Sequence, residues 1–186
     1  MVVTTVLNAD FTNLDPQDER FKSVTHILLD PSCSGSGLIQ RLEYDQDEQT
    51  SPTRLRNLAT FQSRLLKHAL SFPNLQRVVY STCSYHAEEN ERVLQGVLNE
   101  QKEWRVFRRD EQPTGLKSWH RRGLSEECSS AEIAQACIRF EKGTDGTIGF
   151  FAVALVRNGS LSNGDNIDED DEEEEEEEEE WQGIPS

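Results

Sequence analysis

The chain has 186 residues and a formal charge of −16, with 34% hydrophobic residues, enough for one domain with a core. Thirteen of its 35 acidic residues form the run 168–180, and without them 19 basic residues face 22 acidic ones, a near-neutral body followed by a self-repelling acidic segment expected to be disordered from about residue 159. No apolar stretch reaches the ~20 residues of a membrane helix and no secretory signal pattern opens the chain, so a soluble intracellular protein without membrane contact is expected.

"VVTTVL" (2–7) is β-branched and has the character of a strand ending at "NADF", which contains Asp10. "VTHILLD" (24–30) is a nearly continuous apolar run, as for a strand covered on both faces. Ser51 and Pro52 read as N-cap and first residue of a helix. Leu55, Leu58, Ala59, Leu65, Leu66, Ala69 and Leu70 continue it at i, i+3, i+4 spacing, with Gln62 the one polar residue in the stripe, and "FPN" (72–74) ends it. "QRVVYST" (76–82) reads as a strand and "EENERVLQGVLNE" (88–100) as a helix whose first glutamates suit its dipole. "WRVFR" (104–108) and "TIGFFAVALVR" (147–157) are two more strands, with 110–146, containing "KSWHRR" (117–122), irregular between them. This order implies an α/β sheet with crossover helices.

Two turns follow the carboxyl ends of consecutive strands, Asp30–Gly37 ("DPSCSGSG") and Ser81–Ser84 ("STCS"). Ligands in open α/β sheets bind outside such ends, so Cys33 and Cys83 are expected in one crevice. Small polar neighbours and strand-to-helix turns suit a reactive thiolate better than a packed thiol. Cys128 and Cys137, in a weakly structured stretch, read as ordinary packed thiols. The four cysteines form no C-x-x-C pair, which argues against structural zinc and against a thiol oxidoreductase. "GSG" fails G-x-G-x-x-G because residue 40 is Gln, and both a tight turn and a phosphate cradle stay open for it.

"ILLDPSCSGSG" and "VVYSTCSYHAEENERV", with "FQSRLLKHAL" and "GFFAVALVR", resemble the Sun-domain family of S-adenosylmethionine-dependent RNA cytosine-C5 methyltransferases over about residues 2–157. The Asp-Pro-Ser-Cys form looks closest to the branch that acts on large-subunit rRNA. The resemblance implies the second half of a Rossmann-like class I methyltransferase sheet, with residues 1–158 as a catalytic domain from the third strand onward and 159–186 as the acidic tail. It implies S-adenosylmethionine as cofactor, RNA as partner, no metal, and a nuclear, nucleolar location. Matching motifs make Cys83 the nucleophile at cytosine C6 and Cys33 the residue that assists release. They put Asp30 on the cytosine edge, and Asp10 and Asp30 along the cofactor pocket. A thiol of ordinary pKa is only a few per cent ionised at neutral pH, so the site must assist deprotonation. The target base must be unpaired or flipped out.

The family's glycine-rich first turn and the acidic residue of its second strand have no counterpart here. In the family's sheet order, 3-2-1-4-5-7-6, strand 4 would then expose an apolar edge. Residues 1 to about 20 would pack poorly, and the chain, read as a truncated form, would not methylate alone. A competing reading makes it a non-catalytic protein whose acidic tail recruits basic proteins or competes with RNA for Lys117, Arg121 and Arg122.

Overall fold

A computed structural model describes residues 4–38 and 51–159. Helix α1 (Pro52–Leu70) starts as its sequence dictates: the Ser51 hydroxyl accepts the Arg54 amide and Pro52 occupies the first turn. Its inward stripe buries Leu55, Gln62, Leu65, Leu66, Ala69 and Leu70. Full burial of side chains such as Leu66 and Leu70 contributes roughly 1.5–3 kcal/mol each.

This helix joins β1 (His26–Leu29) to β2 (Arg77–Thr82), which pair in parallel with Leu29 opposite Tyr80. Helix α2 (Glu91–Glu100) and strand β3 (Trp104–Val106) follow. After them come two short helices, α3 (Thr114–Ser118) and α4 (Ala131–Ala136), and the strands β4 (Ile138–Phe140) and β5 (Phe150–Arg157). The sheet runs β1-β2-β5-β3, with β4 also pairing β5, and every pair except β1/β2 is antiparallel. It is the 4-5-7-6 half of the order expected for a Rossmann-like methyltransferase. Strand β5 lies inside the sheet, and its Phe151, Val153, Leu155 and Val156 are buried, which explains its unbroken apolar sequence. Tyr80, Leu94 and Leu66 fill the space between sheet and helices.

The other end of the described sheet is β1, where Leu28 is 74% exposed and forms an apolar edge. The strand expected at 2–7 is not formed in its described part: residues 4–7 are exposed coil, since the β-branched run has no described strand to pair with. Poor packing holds for residues 4–10 but not for those that follow. Phe11 stacks on Phe72 at 5.9 Å and meets His68 edge-on at 4.9 Å, while Phe21 meets Phe72 at 5.8 Å.

The region 110–146 is also more ordered than expected, because buried polar side chains substitute for periodicity. Arg122 donates to Gln112 Oε1 at 2.9 Å and to the carbonyls of Leu116, Lys117 and Gln135. Helix 88–100 begins late, at Glu91, because Glu89 and Asn90 turn inward toward the cysteine turns. The acidic run 168–180 lies outside the described residues, and no described helix is long and apolar enough to cross a membrane.

Candidate active site

Parallel pairing of β1 with β2 puts the chain leaving Leu29 beside the chain leaving Tyr80, and the two turns meet. The Ser81 hydroxyl donates to Asp30 Oδ1 at 3.1 Å. Beyond it, Cys33 Sγ and Cys83 Sγ are in hydrogen-bond contact at 3.0 Å, both as free, half-buried thiols. Three of the four expected site residues, Asp30, Cys33 and Cys83, therefore occupy one place at the strand ends.

The turn carrying Cys33 is shaped by glycine. Gly35 has φ 69°, and Gly37 lies so close to β5's approach that a Cβ there would fall 2.2 Å from the Gly149 carbonyl oxygen. The Gly37 amide donates to the Cys83 carbonyl, and the Gly149 amide donates to the Gly37 carbonyl, each at 3.0 Å. Gly37 thus serves close backbone packing between the two cysteine turns.

Behind the thiols lies a buried polar cluster that sequence reasoning missed. Glu89, with no exposed surface, accepts at Oε1 from the Ser34 amide (2.9 Å) and Gln62 Nε2 (3.0 Å), and at Oε2 from the hydroxyls of Ser34 and Ser84 (2.6 Å each). Gln62 also donates to the Ser32 carbonyl. Asn90 accepts from Thr82 Oγ1 and donates to the Ser84 carbonyl. The only sequence signal was Gln62, one polar residue in an apolar stripe; Glu89 reads like any acidic residue at a helix start. A second buried pair, Glu91 with Arg139, lies beyond, where Arg139 also donates to the Tyr85 carbonyl at 3.1 Å.

Burial pushes the Cys33 thiol up to about 12, reinforced by its hydrogen bond with Cys83. Cys33 is therefore a protonated donor at neutral pH, able to stabilise negative charge on the neighbouring sulfur. Burial likewise raises the Tyr80 phenol, which donates to the Glu89 carbonyl at 2.6 Å.

Asp10 is not brought to this place. Both of its carboxylate oxygens are used in its own turn, by the amide and hydroxyl of Thr12 and by Asn13 Nδ2. The adjacent Phe11 packs on His68, in the last turn of α1, where the helix leads to the start of β2 and not to the strand ends. Asp30 is exposed with only Oδ1 engaged among the described contacts, so its Oδ2 is free to accept from a hydroxyl-bearing cofactor at the strand ends; Asp10 keeps acceptor capacity at Oδ2 but lies away from them. Of the basic residues considered for RNA, Arg122 is buried and Arg121 is paired with Asp145 and Glu141, so neither is a ready phosphate contact. Both arginines are structural.

The family profile described as 16S rRNA methyltransferase RsmB/F matches residues 1–155. The 25S rRNA (cytosine-C(5))-methyltransferase rcm1 of Schizosaccharomyces pombe is 45% identical over 155 residues, 81% of this chain and 33% of the relative. The 28S rRNA (cytosine-C(5))-methyltransferase of Mus musculus is 46% identical over 149 residues, 80% of this chain and 30% of the relative. Among solved structures, a methyltransferase homolog protein from Pyrococcus horikoshii superimposes with TM-score 0.52 at 29% identity, covering 71% of this chain and 38% of that one. The chain spans about a third of the length of these curated relatives.

Proposed function

Because this chain belongs to the RsmB/F family of rRNA methyltransferases, we propose that its two cysteine turns are the base-modifying half of an S-adenosylmethionine-dependent RNA cytosine-C5 methyltransferase acting on large-subunit rRNA, in the nucleolus. The observation that carries this reading is the meeting of Cys33 and Cys83, sulfur to sulfur at 3.0 Å, beside Asp30.

Cytosine C5 is a weak nucleophile. Addition of the Cys83 thiolate to C6 opens the C5=C6 double bond and shifts it to C4=C5, an enamine, while N3 takes a proton; C5 can then take a methyl group. S-adenosylmethionine, when bound, supplies that methyl as an electrophile. Asp30, anchored by Ser81, hydrogen-bonds the cytosine edge and helps pass a proton to N3 on addition and take it back on release, and its second oxygen is the acceptor this chain offers the cofactor. Loss of the C5 proton to solvent, with its electron pair forming C5=C6 as Cys83 leaves as a thiolate, and return of the N3 proton restore the aromatic ring. Cys33 assists that last step by donating its thiol hydrogen toward the departing sulfur, a role suited to a thiol held protonated by burial. Asp10 would join the cofactor pocket only if its segment moved toward the strand ends.

Since the chain alone is not expected to methylate, the test is mass spectrometry of large-subunit rRNA incubated with S-adenosylmethionine and a fusion of this chain to the preceding residues of a 25S- or 28S-type relative. New 5-methylcytosine that disappears in Cys83→Ala supports the reading, and methylation that survives in Cys83→Ala overturns it.

A further inference from the structure

We infer that Glu89 is the positioning residue of this site: it fixes the gap between the two thiols by gripping the residue that follows each of them. Ser34 follows Cys33, and both its amide and its hydroxyl donate to Glu89. Ser84 follows Cys83, and its hydroxyl donates to the same carboxylate. The two turns are 50 residues apart in the chain, yet one fully buried side chain holds both.

The grip is directional. The Ser84 hydroxyl donates to Glu89 and keeps a lone pair for the His86 amide, which donates to it at 3.1 Å. That second bond shapes the turn just after Cys83. On the other side, Gln62 of α1 braces the assembly, with Nε2 shared between Glu89 and the Ser32 carbonyl, one residue before Cys33. Among the described residues no Lys, Arg or His pairs with Glu89, so its bonds are spent on these turns and not on a counter-charge. Removing it takes an acceptor from the Ser34 amide, from the two serine hydroxyls and from Gln62, which keeps the Ser32 carbonyl, and the turns must shift to replace it.

The consequence for the chemistry rests on the proposed reaction. Cys83 must reach C6, and Cys33 must then face the sulfur leaving the same ring; both conditions depend on one spacing.

Thiol–disulfide equilibrium reads that spacing without requiring methyl transfer. Glutathione disulfide oxidises the pair: a Cys33–Cys83 bond forms, the two thiols give up two protons and two electrons, and two glutathione thiols are released. The equilibrium constant is the effective concentration of one thiol at the other, with the bond assigned by peptide mass spectrometry. Glu89→Ala is expected to lower it by about tenfold or more, the scale of losing a buried hydrogen-bond set. Glu89→Asp, one methylene short, should fall similarly. Glu89→Gln should stay within about threefold of the native value, because its oxygen can accept from the Ser34 and Gln62 amides while its NH2 donates to the two serine hydroxyls. Should Glu89→Ala fail to fold, the Ser34→Ala/Ser84→Ala chain removes only the hydroxyl contacts and should also lower the constant. A constant unchanged within about twofold in folded Glu89→Ala or in the double variant overturns the inference. A constant that falls as expected while Cys83→Ala still methylates RNA leaves the positioning role standing and removes the proposed function instead.

Discussion

Arg139→Met isolates the worth of the buried ion pair that braces the loop after Cys83. Glu91 has no exposed surface and Arg139 is 8% exposed. The substitution deletes two charge-assisted bonds to Glu91, at 2.7 and 2.5 Å, and the bond to the Tyr85 carbonyl. Glu91 keeps one donor, the Leu124 amide at 3.0 Å. A buried carboxylate stripped of its cation costs about 3–5 kcal/mol. A solvent-exposed pair such as Lys67–Glu100, in contrast, is worth about 0–1 kcal/mol. For a chain of this size 1 kcal/mol moves the midpoint by about 2–4 °C, so the melting temperature should drop by roughly 6–20 °C. Thermal and urea unfolding followed by circular dichroism measure it, and Glu91→Met/Arg139→Met closes the cycle. The double variant should recover part of the loss, with a coupling energy of about 2–3 kcal/mol. A single-variant cost below about 1 kcal/mol would show the pair to be solvated and refute the reasoning.

Gly37→Ala should destabilise by about 2–5 kcal/mol, because its Cβ meets backbone, and its backbone bonds to Cys83 and Gly149 must give way; the same change at Gly149 meets the Tyr85 ring, a side chain that moves on releasing the Lys142 amide, and should cost less. Denaturant titration of the two variants decides the order. Iodoacetamide labelling resolved by peptide mass should spare Cys33 at pH 8, where a thiol near 12 is about one part in ten thousand thiolate, and its rate should climb about tenfold per pH unit toward pH 12. Cys128, held below the ordinary thiol value by a hydrogen bond from Cys137, should label first; equal rates at Cys33 and Cys128 at pH 8 would contradict these assignments. Phe72→Ala should cost about 3–5 kcal/mol and open residues 11–21 to limited proteolysis, since Phe72 is the ring on which Phe11 and Phe21 rest. Unchanged cleavage there would show that the segment is held some other way.

What was legible in the sequence is what local physics dictates. The cap at Ser51, the stripe through Leu70 and the unbroken apolar run of β5 each name their element, because period and capping need no knowledge of the rest of the chain. The cysteine turns were legible for a similar reason: glycine and small polar residues after an apolar run mark a strand end. What was hidden depends on distant partners. Helix α4 and strand β4 have six and three residues, too few for a period, and they stand on Arg122, Arg139 and Gln112. Those arginines look like surface charge until Glu91 and the backbone carbonyls around them are seen. Glu89 was read for its charge at a helix start, whereas the structure uses its four acceptor positions. Residues 4–7 show the reverse failure, a strand-like composition with no described strand beside it.

The most direct test of the central claim is to incubate the chain, fused to the preceding residues of a 25S- or 28S-type relative, with S-adenosylmethionine and an RNA carrying 5-azacytosine at its cytosine positions, then map the covalent nucleotide by peptide mass spectrometry. The account predicts a nucleotide attached to Cys83, and to no residue in Cys83→Ala. Attachment to Cys33 in the native chain, or an adduct that persists in Cys83→Ala, would contradict it.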